Sequence, residues 1–392
     1  MVYALNRIRI LYVIDSMGRG GAETQLLKTL ARLPIDEFEV FIVLSREPGA
    51  SYKQLAALSI VQEIVVLHDA RRFESQSHQS RFPILSLVQK AFRLAGIINS
   101  VEPAIIHSWL WYSNLLCGLV RQFSLSSFRS GTFCPLIVSQ RGDYYARYGR
   151  TRLWLTEKFI YRHADALLTN SDRIRDNLRH RYPDKRILSI RNLLDLPDLP
   201  PQPPSDTPPL WHIVSVGRLT AEKGHQYLIE ALYLLNTKFN RQAFTATILG
   251  DGALRTELAQ LVNRYHLSDR IQMPGFREDI FSMLSTAHLF VLPSLHESSP
   301  NALIEAMGVG LPCIASSVGG VLDLIDHQEN GLLIPPRASG ALAEAINDIL
   351  TNQALAAYMG RNARQKIEEM FDNDRSIQQL QAVYQDCLCM IV

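Results

Sequence analysis

Two glutamates with seven residues between them, Glu297 and Glu305, enclose a helix start in the stretch HLFVLPSLHESSPNALIEAMGVGLPCIASSVGG, residues 288–320. Its punctuation reads strand, loop, helix, strand, then a double-glycine turn. Ser299 is a good N-cap and Pro300 suits the first helical position. The opening turn, Pro300 followed by Asn301, Ala302 and Leu303, is therefore expected to offer the backbone N–H groups of the residues after the proline to an anion or an oxygen. Glu305 shares a helix face with Asn301, four residues earlier. Carboxylates placed so can accept hydrogen bonds from ribose or sugar hydroxyls. The plainer alternative is a pair of surface carboxylates near a helix dipole.

A second cluster is VSVGRLTAEKGHQYLIEAL, residues 214–232, in which a strand ends at Gly217 and the cations Arg218 and Lys223 occupy the loop before a helix. This pattern suits a diphosphate. A helix terminus stabilises an anion by roughly 0.3–1 kcal/mol, up to about 2 when partly buried. A charge-assisted hydrogen bond contributes roughly 1.5–3 kcal/mol, so the cations should dominate. Arg218 would grip phosphate oxygens in a bidentate fashion and Lys223 would act as a point charge. Two merely solvated loop cations are the alternative.

Other segments are weaker taken singly. Gly18, Gly20 and Gly21 lie between the first strand and first helix, where backbone can approach a ligand closely. Glu23 stands where a dinucleotide fingerprint needs its third glycine, and Arg255 does so after Gly250 in GDGALR. His107 ends the strand AIIHSW, with Trp109, Trp111 and Tyr112 following, and is expected to reach a ligand at the sheet edge. A satisfied structural histidine is the common alternative. Arg141, Asp143 and Tyr144 in QRGDYYARYGR end another strand and join Trp109 as acceptor-side candidates. The basic amphipathic segment TRLWLTEKFIYRH, 151–163, suggests either contact with an anionic membrane or simple packing on its own domain, the latter favoured.

These residues need elements to hold them. Short apolar runs near 8–14, 40–45, 64–67, 104–108, 136–140, 166–169 and 187–190 alternate with helical patterns, as in a parallel sheet covered on both faces. The proline-dense LPDLPPQPPSDTPP, 196–209, can sustain neither helix nor ladder. Beyond it the alternation restarts, with strands at 212–217, 245–249, 271–273, 288–293 and 312–316 and helices at 225–236, 253–265 and 300–308. The reading is two Rossmann-like, doubly wound α/β domains facing across a cleft: 1–195, a connector at 196–210, 211–373, and a final helix within 374–392. That helix either completes the second domain or crosses back to the first.

Bulk properties agree. At 392 residues the chain exceeds the size of a single core. Its 47% hydrophobic and 20% charged residues exclude extended disorder. Residues 1–200 carry 27 Lys+Arg against 18 Asp+Glu, and the remainder 13 against 20, so a basic half precedes an acidic one. The basic half suggests an anionic partner such as a lipid surface, a phosphorylated acceptor or an acidic glycan. Nucleic acid is not expected. Five cysteines without zinc spacing fit a reduced, cytoplasmic protein, and the apolar run Ile10–Ile14 is too brief for a signal or a span.

Taken together these segments resemble the retaining glycosyltransferases of family 4, which have the GT-B fold. The resemblance rests on E-SSPNALI-E with AMGVGLPCIAS and Gly319-Gly320, in company with VGRLTAEKG, LGDG and PGFRED. It implies that Arg218 and Lys223 hold a donor diphosphate, with Gly217 and Gly250 in the donor site. It further implies that Glu305 holds the ribose, that Glu297 and the Asn301 helix start lie by the donor sugar, and that Gly20 and Gly21 close over the phosphates. His107 would reach the sugar, and Phe276 and Arg277 would lie by the nucleobase. Two departures are visible, since Asn192 is followed by Leu193 where the family often has glycine, and the histidine segment reads His-Ser-Trp.

The expected reaction is transfer from a UDP-, GDP- or ADP-sugar to a hydroxyl of a saccharide or lipid-linked acceptor, with retention and without metal or cofactor, at or near the inner membrane face. Arg218, Lys223 and helix-start amides would stabilise the leaving phosphate, and His107, Glu297, Arg218 and Lys223 are the catalytic candidates. An epimerase or hydrolase sharing the clamp, or a non-catalytic nucleotide-sugar binder, are the rivals. A nicotinamide oxidoreductase is disfavoured by the missing third glycines.

Overall fold

The computed structural model describes residues 7–67, 83–124, 134–197, 210–240 and 243–389. The chain divides into two compact units, Met1–Leu193 together with Asn373–Val392, and Leu194–Asp372. Most of the proline-dense stretch, 198–209, lies outside the described residues.

The first unit is built on seven parallel strands: β1 (Ile8–Ile14), β2 (Phe38–Leu44), β3 (Val61–Val66), β4 (Ile105–Trp109), β5 (Leu136–Gln140), β6 (Ala166–Thr169) and β7 (Ile187–Ser189). They run in the order β3-β2-β1-β4-β5-β6-β7. The order reverses at β1 and β4, whose carboxyl ends therefore flank the crevice where open α/β sheets bind ligands. Period-two alternation splits the core between two faces. Ile10, Tyr12 and Ile14 pack with Leu26 and Leu30 of the helix Gly21–Leu30 and with Leu380, Val383 and Tyr384 of the C-terminal helix Asn373–Cys389. Leu11 and Val13 pack on the opposite side with Leu94 and Ile98 of the helix Pro83–Val101 and with Leu115 and Leu116 of the helix Trp111–Ser124. The last helix of the chain thus covers the first unit's sheet.

The second unit holds six parallel strands, β8 (Trp211–Val216), β9 (Phe244–Leu249), β10 (Ile271–Gly275), β11 (Leu289–Leu292), β12 (Cys313–Ser316) and β13 (Leu332–Ile334), ordered β10-β9-β8-β11-β12-β13. Here the switch point lies between β8 and β11. One face packs under the helices His225–Lys238 and Ser339–Thr351, through residues such as Leu228, Leu232, Leu342 and Ile346. The other packs under the helix Asn301–Gly308, through Leu303, Ile304 and Met307. No helix among the described residues is long and apolar enough to cross a membrane. The basic segment after Gly149 is an α-helix, Arg150–Leu155, that widens into a π-helix, Thr156–Tyr161. It buries Thr156, Ile160 and Tyr161 in its own unit and leaves Trp154 about half exposed.

Candidate active site

In the second unit the switch point brings two loops together. The loop after β8 carries Arg218, makes a short 3-10 turn at Ala221–Lys223 and enters the next helix through Gly224. Gly224 has φ +65° and lies so close to the β11 loop that a Cβ there would be 2.1 Å from the carbonyl oxygen of Pro293. Only glycine fits both the left-handed backbone and that approach. Leu295 N–H also donates to the Glu222 carbonyl at 2.8 Å. With the loops so joined, Lys223 Nζ lies 2.6 Å from Glu297 Oε1, an oxygen that also accepts from Ser294 Oγ at 2.7 Å.

This ion pair is largely withdrawn from solvent, the side chains being 19% and 8% exposed. Beneath it, His225 is buried, with Nδ1 3.4 Å from Ser215 Oγ. A Cβ on Gly217 would stand 3.5 Å from His225 Nε2 and 3.4 Å from Lys223 Cδ. Burial pushes the His225 imidazole down to about 4, with the Lys223 charge acting the same way. It is therefore neutral at neutral pH. The double-glycine turn has its own reason: Gly320 N–H donates to the Glu297 carbonyl at 3.2 Å, and a Cβ on Gly319 would lie 1.9 Å from that oxygen. The turn presses on the backbone that presents Glu297.

Arg218 forms a salt bridge with Glu222 rather than standing beside Lys223 with an open fork, and its side chain is 55% exposed. Each cation is thus held by a carboxylate, and a phosphate would have to exchange with those partners. Gly217 N–H donates to Leu249 O at 2.9 Å and Gly250 N–H to Gly275 O at 2.9 Å, which lines these strand ends up beside the loop. Phe276 and Arg277 follow β10 directly and are exposed. Glu305 is partly buried on the helix Asn301–Gly308, one turn beyond Asn301. The expected capping differs in detail. Pro300 has ψ 104°, an extended conformation, so it is the N-cap residue itself and Ser299 precedes the cap. Its carbonyl accepts from Leu303 and Ile304 N–H, both at 3.1 Å. The helix consequently starts one residue later, at Asn301, with no side-chain cap.

In the first unit the glycine turn is ordered by the following loop. Ser51 N–H donates to Met17 O at 2.8 Å and Ser51 Oγ to Gly18 O at 3.2 Å. Gly20 is the N-cap of the helix that begins at Gly21. Asp15, at the end of β1, accepts from both the N–H and the Oγ of Ser113, and burial raises its carboxyl.

His107 is placed otherwise than expected. It has no exposure, and strand alternation turns it toward the face covered by the C-terminal helix. Its Nδ1 lies 2.8 Å from Tyr384 Oη and its Nε2 2.8 Å from Ser139 Oγ, with Trp109 Nε1 donating to Nε2 at 3.1 Å. An indole N–H can only donate, so Nε2 accepts and the proton sits on Nδ1, bonded to Tyr384. Tyr384 in turn bonds Tyr12. Burial, reinforced by the nearby Arg141 charge, drives His107 well below the ordinary histidine range. The side chain is a neutral, internally satisfied group.

Two acceptor-side candidates share that fate. Trp109 is buried, and Tyr144 is turned back into the opposite face of the core, where its hydroxyl accepts from Asn114 Nδ2 at 3.2 Å. Asp143 begins a short helix, accepting from Tyr145 N–H at 3.1 Å. Arg141 stacks on the Trp109 ring at 3.8 Å. The structure thus brings together Lys223, Glu297 and the glycine loops in one unit and Trp109, His107 and Arg141 in the other. Sequence reasoning passed over Glu222, Ser294, His225 and Tyr384, of which only the first three lie within a singled-out segment.

Comparison with known proteins follows the same two-part division. Residues 19–197 match the family described as Glycosyltransferase Family 4, and residues 204–366 match Glycosyl transferases group 1. The alpha-D-kanosaminyltransferase of Streptomyces kanamyceticus is 30% identical over 276 residues, 64% of this chain and 70% of that one. The amylovoran biosynthesis glycosyltransferase AmsK of Erwinia amylovora is 30% identical over 254 residues, 62% and 59% of the two chains. Several other curated relatives are matched over about half of their own length. The crystal structure of Anabaena Alr3699/HepE in complex with UDP-glucose has a TM-score of 0.78 at 21% identity, covering 97% of this chain and all of that one. The fold is therefore shared.

Proposed function

The chain belongs to the family 4, group 1 glycosyltransferases, and from that premise we propose that it transfers a sugar, with retention of anomeric configuration and without a metal ion, from a nucleoside diphosphate sugar to an acceptor hydroxyl. The observation that carries this reading is the Lys223–Glu297 pair at the switch point of the second sheet, with Arg218 on the same loop and the start of the helix at Asn301 close behind Glu297 in sequence. Breaking the bond from sugar to diphosphate leaves negative charge on the departing phosphate, and preorganised cations and amides aimed at that charge lower the barrier most. A phosphate entering the loop would take the Lys223 ammonium from Glu297 and the Arg218 guanidinium from Glu222. The freed Glu297 would then accept from hydroxyls of the donor sugar, and Glu305 from those of the ribose. The acceptor hydroxyl approaches on the face of the leaving phosphate and gives its proton to it. The acceptor oxygen bonds to the anomeric carbon as the bond to phosphate breaks, all on one side of the sugar, and the anomeric configuration is kept.

UDP-glucose is the donor to try first, since HepE holds it in its crystal. The acceptor class is a saccharide or a lipid-linked saccharide, and the basic first half of the chain favours one carrying negative charge, or an anionic membrane surface beside it. Flotation with anionic liposomes checks the membrane part. A panel of nucleotide sugars screened by thermal shift selects the donor, because a preferred ligand stabilises the folded state by mass action. Product analysis with labelled donor then distinguishes transfer from epimerisation or hydrolysis. Donor turnover abolished by EDTA and restored by manganese would refute the metal-free mechanism.

A further inference from the structure

Arg141 lies just beyond β5, on the sheet face that also presents Ile137 and Ser139. Its guanidinium stacks on Trp109, and Nη1 donates to Asn192 Oδ1 at 3.2 Å. Its Nε is shut off from solvent and has no hydrogen-bond acceptor. Among the described residues no carboxylate pairs with it, and the nearby phenols of Tyr12 and Tyr384, raised by burial, are neutral and give it no counter-charge. Burial pushes this guanidinium down to about 10. Other arginines of the unit are treated differently by the fold, Arg121 being paired with Asp165 and Arg191 with Asp172. A cation partly withdrawn from water without a counter-charge is costly, and such groups are ordinarily paired.

Beside Arg141 a pocket opens whose walls include Gln25, Thr29, Trp109, Arg191 and Ser376. All of them belong to the first unit. We propose that this pocket is an oxyanion-binding site, with Arg141 as its charge and a phosphate or carboxylate group as its ligand. The planar fork of arginine matches both groups. Arg191 adds a second cation to the wall but is already neutralised by Asp172, so the uncompensated charge that a ligand would balance is that of Arg141. The ring of Trp109 fixes the guanidinium plane, and Asn192 fixes one of its edges, which leaves the fork preorganised rather than searching.

A free anion and the same group carried on a larger molecule share this chemistry, and titration separates them. The full-length protein is titrated with inorganic phosphate, glycerol 1-phosphate and acetate, each against sodium chloride at matched ionic strength, while tryptophan fluorescence is followed, since Trp109 lies against the guanidinium. The expected result is a saturable change with at least one of them that persists in the Arg218→Ala/Lys223→Ala protein. It should be weakened at least about tenfold in Arg141→Gln, the loss of one charge-assisted hydrogen bond. Tighter binding of glycerol 1-phosphate than of phosphate assigns the site to a carried group, and the reverse assigns it to the free anion. Should Arg141→Gln fail to fold by circular dichroism, Arg141→Lys decides, since it keeps the charge but loses the fork and should still bind several-fold more weakly. The site is disproved by the absence of any saturable change, by a response equal in the Arg141 variants, or by one that disappears with Arg218 and Lys223.

Discussion

Lys223 and Glu297 are 74 residues apart in the chain, yet their charged ends meet at 2.6 Å. The contact exists because Gly224 lets one loop press on Pro293 of the other, and because Gly319 and Gly320 press on the backbone of Glu297. Each part of the motif is thereby tied to the placement of one ammonium and one carboxylate.

Removing either cation should slow the reaction. Arg218→Ala is expected to raise the barrier by roughly 2.7–4 kcal/mol, a loss of about 10²–10³ in kcat, as for a single charge-stabilising donor elsewhere. Lys223→Ala should cost at least as much, because it also leaves Glu297 without its partner. Steady-state kinetics with the preferred donor checks both, and activity within a few fold of the unaltered protein would refute the assignment.

The glycines can be tested by stability alone. Gly319→Ala places a Cβ against the Glu297 carbonyl at 1.9 Å, and Gly224→Ala places one against Pro293 at 2.1 Å while also demanding φ +65°. Each should lower stability by more than about 1 kcal/mol, visible as a fall in the unfolding midpoint. Gly340→Ala, where nothing lies within 4 Å of the added atom, serves as the comparison and should be close to neutral.

Tyr384→Phe removes the hydroxyl that His107 donates to and leaves a buried donor without a partner, at a cost of about 1–3 kcal/mol. Its effect on donor turnover should be smaller than that of Lys223→Ala, since the phenol sits in the packing of the first unit. Denaturant unfolding monitored alongside activity separates the two.

Acid should destabilise both units. His107 and His225 are held neutral with depressed affinity for protons, so the unfolded chain binds more protons than the folded one below the ordinary histidine value near 6.5. Their contribution is present above about pH 6.5 and fades as the pH falls. For His225 the loss continues to about pH 4. At pH 5 it amounts to about 2 kcal/mol, from roughly 1.4 kcal/mol per unit. Chemical denaturation at pH 7 and pH 5 measures this, and His225→Asn should flatten the difference within the second unit.

Much of the fold was legible in the sequence because its buried parallel strands are short, continuous apolar runs bounded by turns. The runs near 8–14, 136–140 and 166–169 are strands at those positions. The cations and glutamates of the second unit were legible too, as clusters at strand ends. Other features were not, for physical reasons. Strand β13 is only three residues long, and the helices Ser339–Thr351 and Gln353–Met370 lie beyond the last strand that a continuous apolar run marks. The environment of His107 depends on Tyr384, which is 277 residues away and reaches it only because the last helix packs on the first sheet. Local spacing carries no trace of such a contact. Pro300 was misplaced by one position because a proline suits both the first turn of a helix and the extended residue ahead of it, and only ψ distinguishes them.

The packing of Asn373–Cys389 onto the first sheet bears on how the protein is made. The face formed by Tyr12, Ile14, Ile105 and Trp109 has no complete cover before residues 373–389 have been synthesised. At bacterial or eukaryotic rates of synthesis that interval is roughly 10–40 s after Leu193 has been added. During it the intervening segment, one uninterrupted piece of chain, can already close its own core, so the half that is started first is the half that is finished last.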